Sequence, residues 1–201
     1  MTKNLRLLAV ALAFVAAGRL SAQTVVIDNI DKNHSTLGFS VPIMGGLSEV
    51  EGKFTDFNIV ISYDTTNVTK SSVVATIQTK SIDTGIGARD DDLRSARFFD
   101  AAANPQIVFT SSRIERRGAQ LVAIGTLLMH GITKEIELPF AIRTVLDPET
   151  KKVNMAISSD LTIDRDNWGV SWRHPKNMFV SNEVTLKLRV LTKLIAVPPP
   201  R

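Results

Sequence analysis

Strict alternation of apolar and polar side chains is the feature that most limits what this chain can fold into. In EIELPFAIR, Ile136, Leu138, Phe140 and Ile142 share one face, while Glu135, Glu137 and Arg143 share the other. In NEVTLKLRVL, Val184, Leu186, Leu188 and Val190 alternate with Thr185, Lys187 and Arg189. A period of two belongs to the β-strand, whose successive side chains point to opposite faces. Each strand therefore has one wet and one dry face, and a register slip of one residue would expose the dry one.

A third segment, NMAISSDLTID, carries Met155, Ile157, Leu161 and Ile163 on one side and Ser158, Asp160, Thr162 and Asp164 on the other. Asp147, Pro148 and Glu149 precede it as a tight turn, which predicts an antiparallel hairpin with the strand before. Further runs with strand character occupy Thr24–Asp31, Ser35–Ile43, Lys53–Tyr63, Ser72–Ile82, Gln106–Glu115 and Gln120–Met129. The total is about eight or nine strands with only one convincing helix, an all-β pattern that fits an antiparallel sandwich or barrel.

Closure into a barrel removes exposed sheet edges, and roughly eight strands leave an interior either filled by side chains or hollow enough for one ligand. A barrel crossing a membrane needs aromatic girdles at both interfaces, and this chain has one Tyr and two Trp. No internal repeat or linker divides it, so residues 23–197 are read as one domain. The tail 198–201, PPPR, lacks the backbone donors to prolong a sheet.

At the other end, Lys3 and Arg6 precede LLAVALAFVAA, an apolar run of the length used in export signals and too short to span a bilayer. The expectation is a signal peptide over residues 1–22, cut after Ala22, and a periplasmic or secreted product with no integral membrane segment. Its loss removes Lys3, Arg6 and Arg19 and no acid, leaving 21 basic against 20 acidic residues from the original 24 and 20. A balanced chain without a basic stripe is a poor partner for nucleic acid. With no cysteine, disulfides and thiolate chemistry are excluded, and stability must come from the core.

The stretch GARDDDLRSARFFD, Gly87 to Asp100, breaks the strand pattern. Asp90, Asp91 and Asp92 in the first turn of a short helix and Arg94 and Arg97 in its last would suit the helix dipole. Leu93, Ala96 and one of Phe98 and Phe99 would then share a face that could plug an apolar opening as a lid. Consecutive aspartates lack the alternation and the glycine of a calcium-binding loop.

No catalytic constellation emerges. His34, His130 and His174 are far apart in sequence and in no metal-binding pairing. There is no nucleophile elbow, P-loop or dinucleotide fingerprint, and Asp160 and Asp164 lie on the polar face of their strand. The expectation is a binding protein rather than an enzyme, with no metal and no cofactor.

The run SIDTGIGARDDDLRSARFFDAAANPQIVFTS resembles the signature of the YceI-like family. NHSTLGFSV, GTLLMHGITKEIELPF and LTIDRDNWGV, from Asn33, Gly125 and Leu161, resemble further family segments in the same order. Asp92 stands where the family often has His, and Trp168 where Phe is common. The resemblance implies an exported, eight-stranded antiparallel lipocalin-like barrel with a short helix near one mouth, associated with polyisoprenoid lipids.

It further implies a long apolar cavity lined by Phe39, Leu93, Phe98, Phe99, Ile136, Leu138, Phe140, Ile142, Met155, Ile157, Val184, Leu186 and Leu188. A head group would need polar partners at the mouth, for which His34, Arg89, Asp90, His130 and Lys134 are the candidates. A lipid of about 40 carbons, at roughly 0.3 kcal/mol per heavy atom, would gain on the order of 12 kcal/mol, which is nanomolar binding.

The alternation alone does not separate a hollow barrel from a filled one. The low aromatic content, 6%, favours the hollow form. A filled barrel would instead be a scaffold, either homodimeric or serving a membrane redox or stress-response partner.

Overall fold

A computed structural model describes residues 24–171 and 179–193. The expected signal peptide, the proline-rich tail and His174 lie outside the described residues.

The strands are β1 (Thr24–Ile27), β2 (Thr36–Ile43), β3 (Ser48–Phe54), β4 (Phe57–Asp64), β5 (Ser72–Gln78) and β6 (Ile82–Asp83). After the helix α1 (Gly87–Arg94) come β7 (Gln106–Arg117), β8 (Gln120–Met129), β9 (Ile132–Leu146), β10 (Val153–Asp164) and β11 (Glu183–Leu191). All join one sheet in the order β1-β4-β5-β7-β8-β9-β10-β11-β2-β3-β6. Each neighbouring pair is antiparallel.

The architecture is the all-β, barrel-like one that the sequence predicts, with eleven strands in place of eight. The extra strands are short or weakly patterned. β6 has two residues, and the expected strand Lys53–Tyr63 is the end of β3, a turn at Thr55–Asp56 and all of β4 but its last residue. The inward positions of β3 are Val50, Gly52 and Phe54, half-buried beneath exposed Glu49, Glu51 and Lys53. A glycine in the middle erases the alternation there.

Backbone hydrogen bonds also run beyond the named strands. Beyond β1 the chain crosses to β11, where Asp31 N donates to Leu191 O at 2.8 Å and Lys193 N to Asn29 O at 2.9 Å. At the β3–β4 turn, Thr55 N donates to Ser81 O at 3.1 Å and Gln78 N to Asp56 O at 2.9 Å. These bonds limit the unpaired edge that an open sheet would offer to other chains.

Two irregularities bend the wall. β9 pairs with β8 up to Phe140 and with β10 from Ala141 onward, so one long strand serves both halves. In β7 the register shifts between Ser111 and Arg113, a bulge that moves the inward parity from Ile107 and Phe109 to Ile114. Gly125 stands opposite, and a β-carbon there would overlap the Thr110 carbonyl; only glycine lets the bulged strand press so close.

The buried apolar residues form two clusters. One contains Ile27, Leu37, Phe57, Ile61, Met155 and Val190, and the other Ile107, Phe109, Leu127, Met129, Trp168 and Val170.

Candidate apolar cavity and its polar rim

The barrel is hollow. A cavity of about 470 Å³, within the roughly 300–1,000 Å³ of ligand pockets, takes its wall from both clusters: Leu37, Ile61 and Val190 from the first, Ile107, Leu127 and Val170 from the second. Strands β9, β10 and β11 contribute Ile136, Leu138, Phe140, Ile157, Val184, Leu186 and Leu188, as their alternation predicts, and β2 contributes Phe39. Ile142 and Met155 face instead a small gap of about 50 Å³ beside Tyr63 and Ile114. Met155 is 1% exposed and wholly taken up by core packing. The wall also includes Phe54, Ile59, Ile61, Ile77 and Phe109, whose places in β3, β4, β5 and β7 the sequence reading did not assign to a site.

Leu93, Phe98 and Phe99 reach the cavity, but not from one helical face. α1 ends at Arg94, and Ser95 takes an extended conformation with φ −69° and ψ 168°. The Ser95 hydroxyl donates to Asp92 O at 2.7 Å, the local competition that ends helices at serine. The Phe pair follows in tight turns, with Phe99 N bonded to Leu93 O at 3.0 Å. The Phe99 ring meets Phe54 edge-on, centroids 6.1 Å apart at 85°, and Phe54 meets Phe39 at 5.9 Å. Three aromatic rings thus run from the turn after the helix onto the wall, in geometries that aromatic pairs favour.

Arg94 straps α1 to the barrel, donating to Lys80 O at 2.8 Å and Ile82 O at 2.6 Å. Asp90 is buried, and its carboxylate accepts from Thr84 N at 2.9 Å and from the Thr84 hydroxyl at 2.5 Å. It therefore fixes the approach to the helix and does not enter the cavity. Arg89 does line the cavity, with Nε on Thr84 Oγ1 at 2.7 Å and Nη2 on Thr84 O at 2.9 Å.

The other three polar candidates stand away from the wall. His34 is exposed, its Nδ1 2.9 Å from Asp31 Oδ2, in the crossing from β1 to β2. His130 occupies the β8–β9 turn with φ 50°, followed by Gly131 at 72°, the positive values that a tight hairpin requires. Its Nδ1 lies 3.0 Å from Trp168 O. Lys134 pairs with Leu127 in the ladder but is exposed. The turn carrying Trp168 covers that end, with Trp168 Nε1 donating to Leu127 O at 3.1 Å.

Arg165 is, with Asp92 and Ser159, a polar residue of the wall that sequence reasoning missed. It opens the turn after β10, is 7% exposed and lines the cavity. Its Nε donates to Ser181 O at 3.0 Å, Nη1 to Val170 O at 2.8 Å and Nη2 to Asn182 Oδ1 at 3.3 Å. Burial pushes its pKa down, against the opposing influence of Asp166 and Asp164. Flanked by acids in IDRDN, it reads in sequence as surface charge. The acids turn away: Asp164 accepts from Asp166 N, Asp166 from Asn182 Nδ2, and Asp160 pairs with Arg189.

Residues 29–191 match the family model of the YceI-like domain. The chain belongs to the YceI-like family. It is 34% identical over 138 residues to Protein YceI of Salmonella arizonae, covering 69% of this chain and 71% of that one. Among solved structures, BcnA of Burkholderia cenocepacia superposes with a TM-score of 0.71 at 22% identity, over 82% of this chain and all of its own (100%). The YceI protein of Campylobacter jejuni gives 0.66 at 24% identity, over 75% of this chain and 88% of that one. A polyisoprenoid-binding domain from Saccharophagus degradans, implicated in plant cell wall breakdown, gives 0.60 at 14% identity, over 86% and 100%. The fold of the family, a curled antiparallel sheet around an interior, is the one described above.

Proposed function

We propose that this protein binds a long-chain isoprenoid or a similar amphiphile inside its barrel and carries or stores it outside the cytoplasm. The observation that carries the reading is the 470 Å³ cavity with its almost entirely aliphatic and aromatic wall. Burying such a surface against a flexible chain returns roughly 25 cal/mol per Å² of apolar area, and no charged anchor is needed for tight binding. The Saccharophagus domain, with the same fold, is a polyisoprenoid-binding one. Export rests on residues 1–22, two cations followed by an apolar run.

The ionisable groups of the wall favour a binder over an enzyme. Asp92 is paired with Arg97 at 3.0 Å, Arg89 is bonded to Thr84, and Arg165 donates to Ser181 O, Val170 O and Asn182 Oδ1. A general acid or base would need a group that titrates in the working range.

Mass spectrometry of an organic extract from the processed protein, purified without detergent from its native compartment, tests the reading. A stoichiometric long-chain lipid is expected. A clean extract from folded protein that also takes up no offered lipid would overturn it and turn attention to a protein partner.

A further inference from the structure

The cavity has a floor. On each of four strands one side chain borders both the cavity and the gap of about 50 Å³ beyond it: Ile61 on β4, Val73 on β5, Phe140 on β9 and Ile157 on β10. At the next inward position of β4, β9 and β10, Tyr63, Ile142 and Met155 border the gap alone. Side chains two residues apart share one face of a strand, so these strands pass from cavity to gap at one level. Ile61 stands directly opposite Val73 in the ladder.

Strand register puts the mouth at the other end. Ile157 pairs with Val190 at the floor and Ile163 with Val184 away from it, towards the bridged pair Ile43 and Val180. Between Val184 and Val190 the wall runs roughly 20 Å, at about 3.4 Å per residue. Behind the floor, Asp64 fixes a loop: its buried carboxylate accepts from Thr66 N, Thr66 Oγ1 and Asn67 N at 2.8, 2.7 and 2.8 Å, and Asp64 N donates to Ser71 Oγ at 2.9 Å. That loop lays Val68 and Ser71 against the gap. A tail that reaches the floor is therefore stopped, and a shorter one leaves apolar wall uncovered and forfeits its contacts.

We propose that this floor, and Phe140 above all, is a chain-length gauge, which sets the number of isoprene units at which affinity stops rising. Phe140 has the bulkiest side chain of the four, and its ring separates the cavity from the gap. Truncation to Ala frees the space of the ring carbons and joins it to the gap, which makes room for the five carbons of one further isoprene unit. The proposal rests on the lipid-binding reading and deepens it by naming tail length as the property that the cavity measures.

A series of prenols that grows by one isoprene unit at a time, from geraniol upward, tests it, each titrated against an apolar fluorescent probe bound in the delipidated protein. In the wild type each added unit should tighten binding by at least about tenfold until the tail meets the floor, and further units should add less than about twofold. In Phe140→Ala that break should come one unit later. Ile157→Phe, which adds bulk to the floor beside open space, should bring it one unit earlier, and a general loosening of the fold would not move the break in both directions. Val184→Ala, at the mouth end of the same wall, should weaken binding without moving the break. Should Phe140→Ala not fold, Ile157→Phe decides alone. No break in the wild type, a break that stays in place in either folded floor variant, or one that moves with Val184→Ala overturns the gauge while leaving the lipid reading standing. Failure of every prenol to displace the probe from folded protein overturns the lipid reading and the gauge with it.

Discussion

The ring of Phe39 lies directly across Gly52 on the neighbouring strand, so that a β-carbon on that glycine would overlap the ring and stand 2.9 Å from Thr84 Cγ2. The missing side chain is what lets Phe39 fold flat along the wall and meet Phe54 at 5.9 Å. Gly52→Ala forces Phe39 off this position and into the cavity. Overpacking of this kind costs about 1–3 kcal/mol, and lipid capacity should fall together with the denaturation midpoint. Adding Phe39→Leu to the same protein should restore both, which denaturant titration and lipid uptake would measure.

The Phe98–Phe99 turn closes one side of the cavity and is held by Arg94 and by the Phe54 contact. Replacing both rings with Ala opens that side while leaving the ladders intact. Release of a bound apolar fluorophore should accelerate by about tenfold or more, since most affinity changes appear in the off-rate. The far-UV circular dichroism should not change. Unaltered release would reduce the two rings to core packing.

The parts of this molecule that announce themselves in sequence are those where one face is dry. Ile136, Leu138 and Phe140 on β9 and Val184, Leu186 and Leu188 on β11 are in the wall because strict alternation can be satisfied only by facing an apolar interior. Alternation does not tell which apolar neighbour a side chain will meet. Ile142 and Met155 obey the same pattern, yet they close one end of the barrel against Tyr63 and Ile114. β3 escaped detection because its central inward residue is Gly52.

Polar residues were less legible because their roles depend on what the backbone leaves unsatisfied. Asp90, in a charged run, is buried to accept two bonds from Thr84. His130, a candidate for the cavity mouth in sequence terms, is committed to a hairpin turn and to the Trp168 carbonyl. Arg165, the buried cation of the wall, sits between two aspartates that conceal it in a linear reading.

Acid should weaken the β7–β9 face in a predictable way. Arg117 grips Glu137 with both Nη atoms, at 2.6 and 2.8 Å, and reaches Glu115 with Nε at 3.1 Å. The hydrogen bond from Arg117 holds the Glu137 carboxyl below the ordinary glutamate value, and Arg113 and then Arg117 do the same for Glu115. A carboxyl lowered in the folded state contributes stability above its unfolded pKa and loses it as pH falls through the folded one. Glu137→Gln should therefore lower the melting temperature at about pH 7 and converge with the wild type in strong acid. The difference should also shrink in high salt, because the pair is exposed.

Beside the wall residues Ile43 and Val180, Met44, Leu47 and Phe179 are exposed by 54%, 85% and 61%. Met44 N donates to Phe179 O at 2.6 Å, so Met44 and Phe179 share one rim. Apolar side chains left in water at the mouth of an apolar cavity fit brief contact with a bilayer, where their exposure would be relieved. If the protein carries lipid between membranes, Met44→Glu with Leu47→Glu should slow transfer of a fluorescent isoprenoid between vesicles severalfold. Affinity for the same lipid in detergent-free buffer should change by less than about twofold, because neither side chain lines the cavity. Transfer at the wild-type rate would mean that lipid enters without membrane contact at this rim, as expected of a store filled from solution.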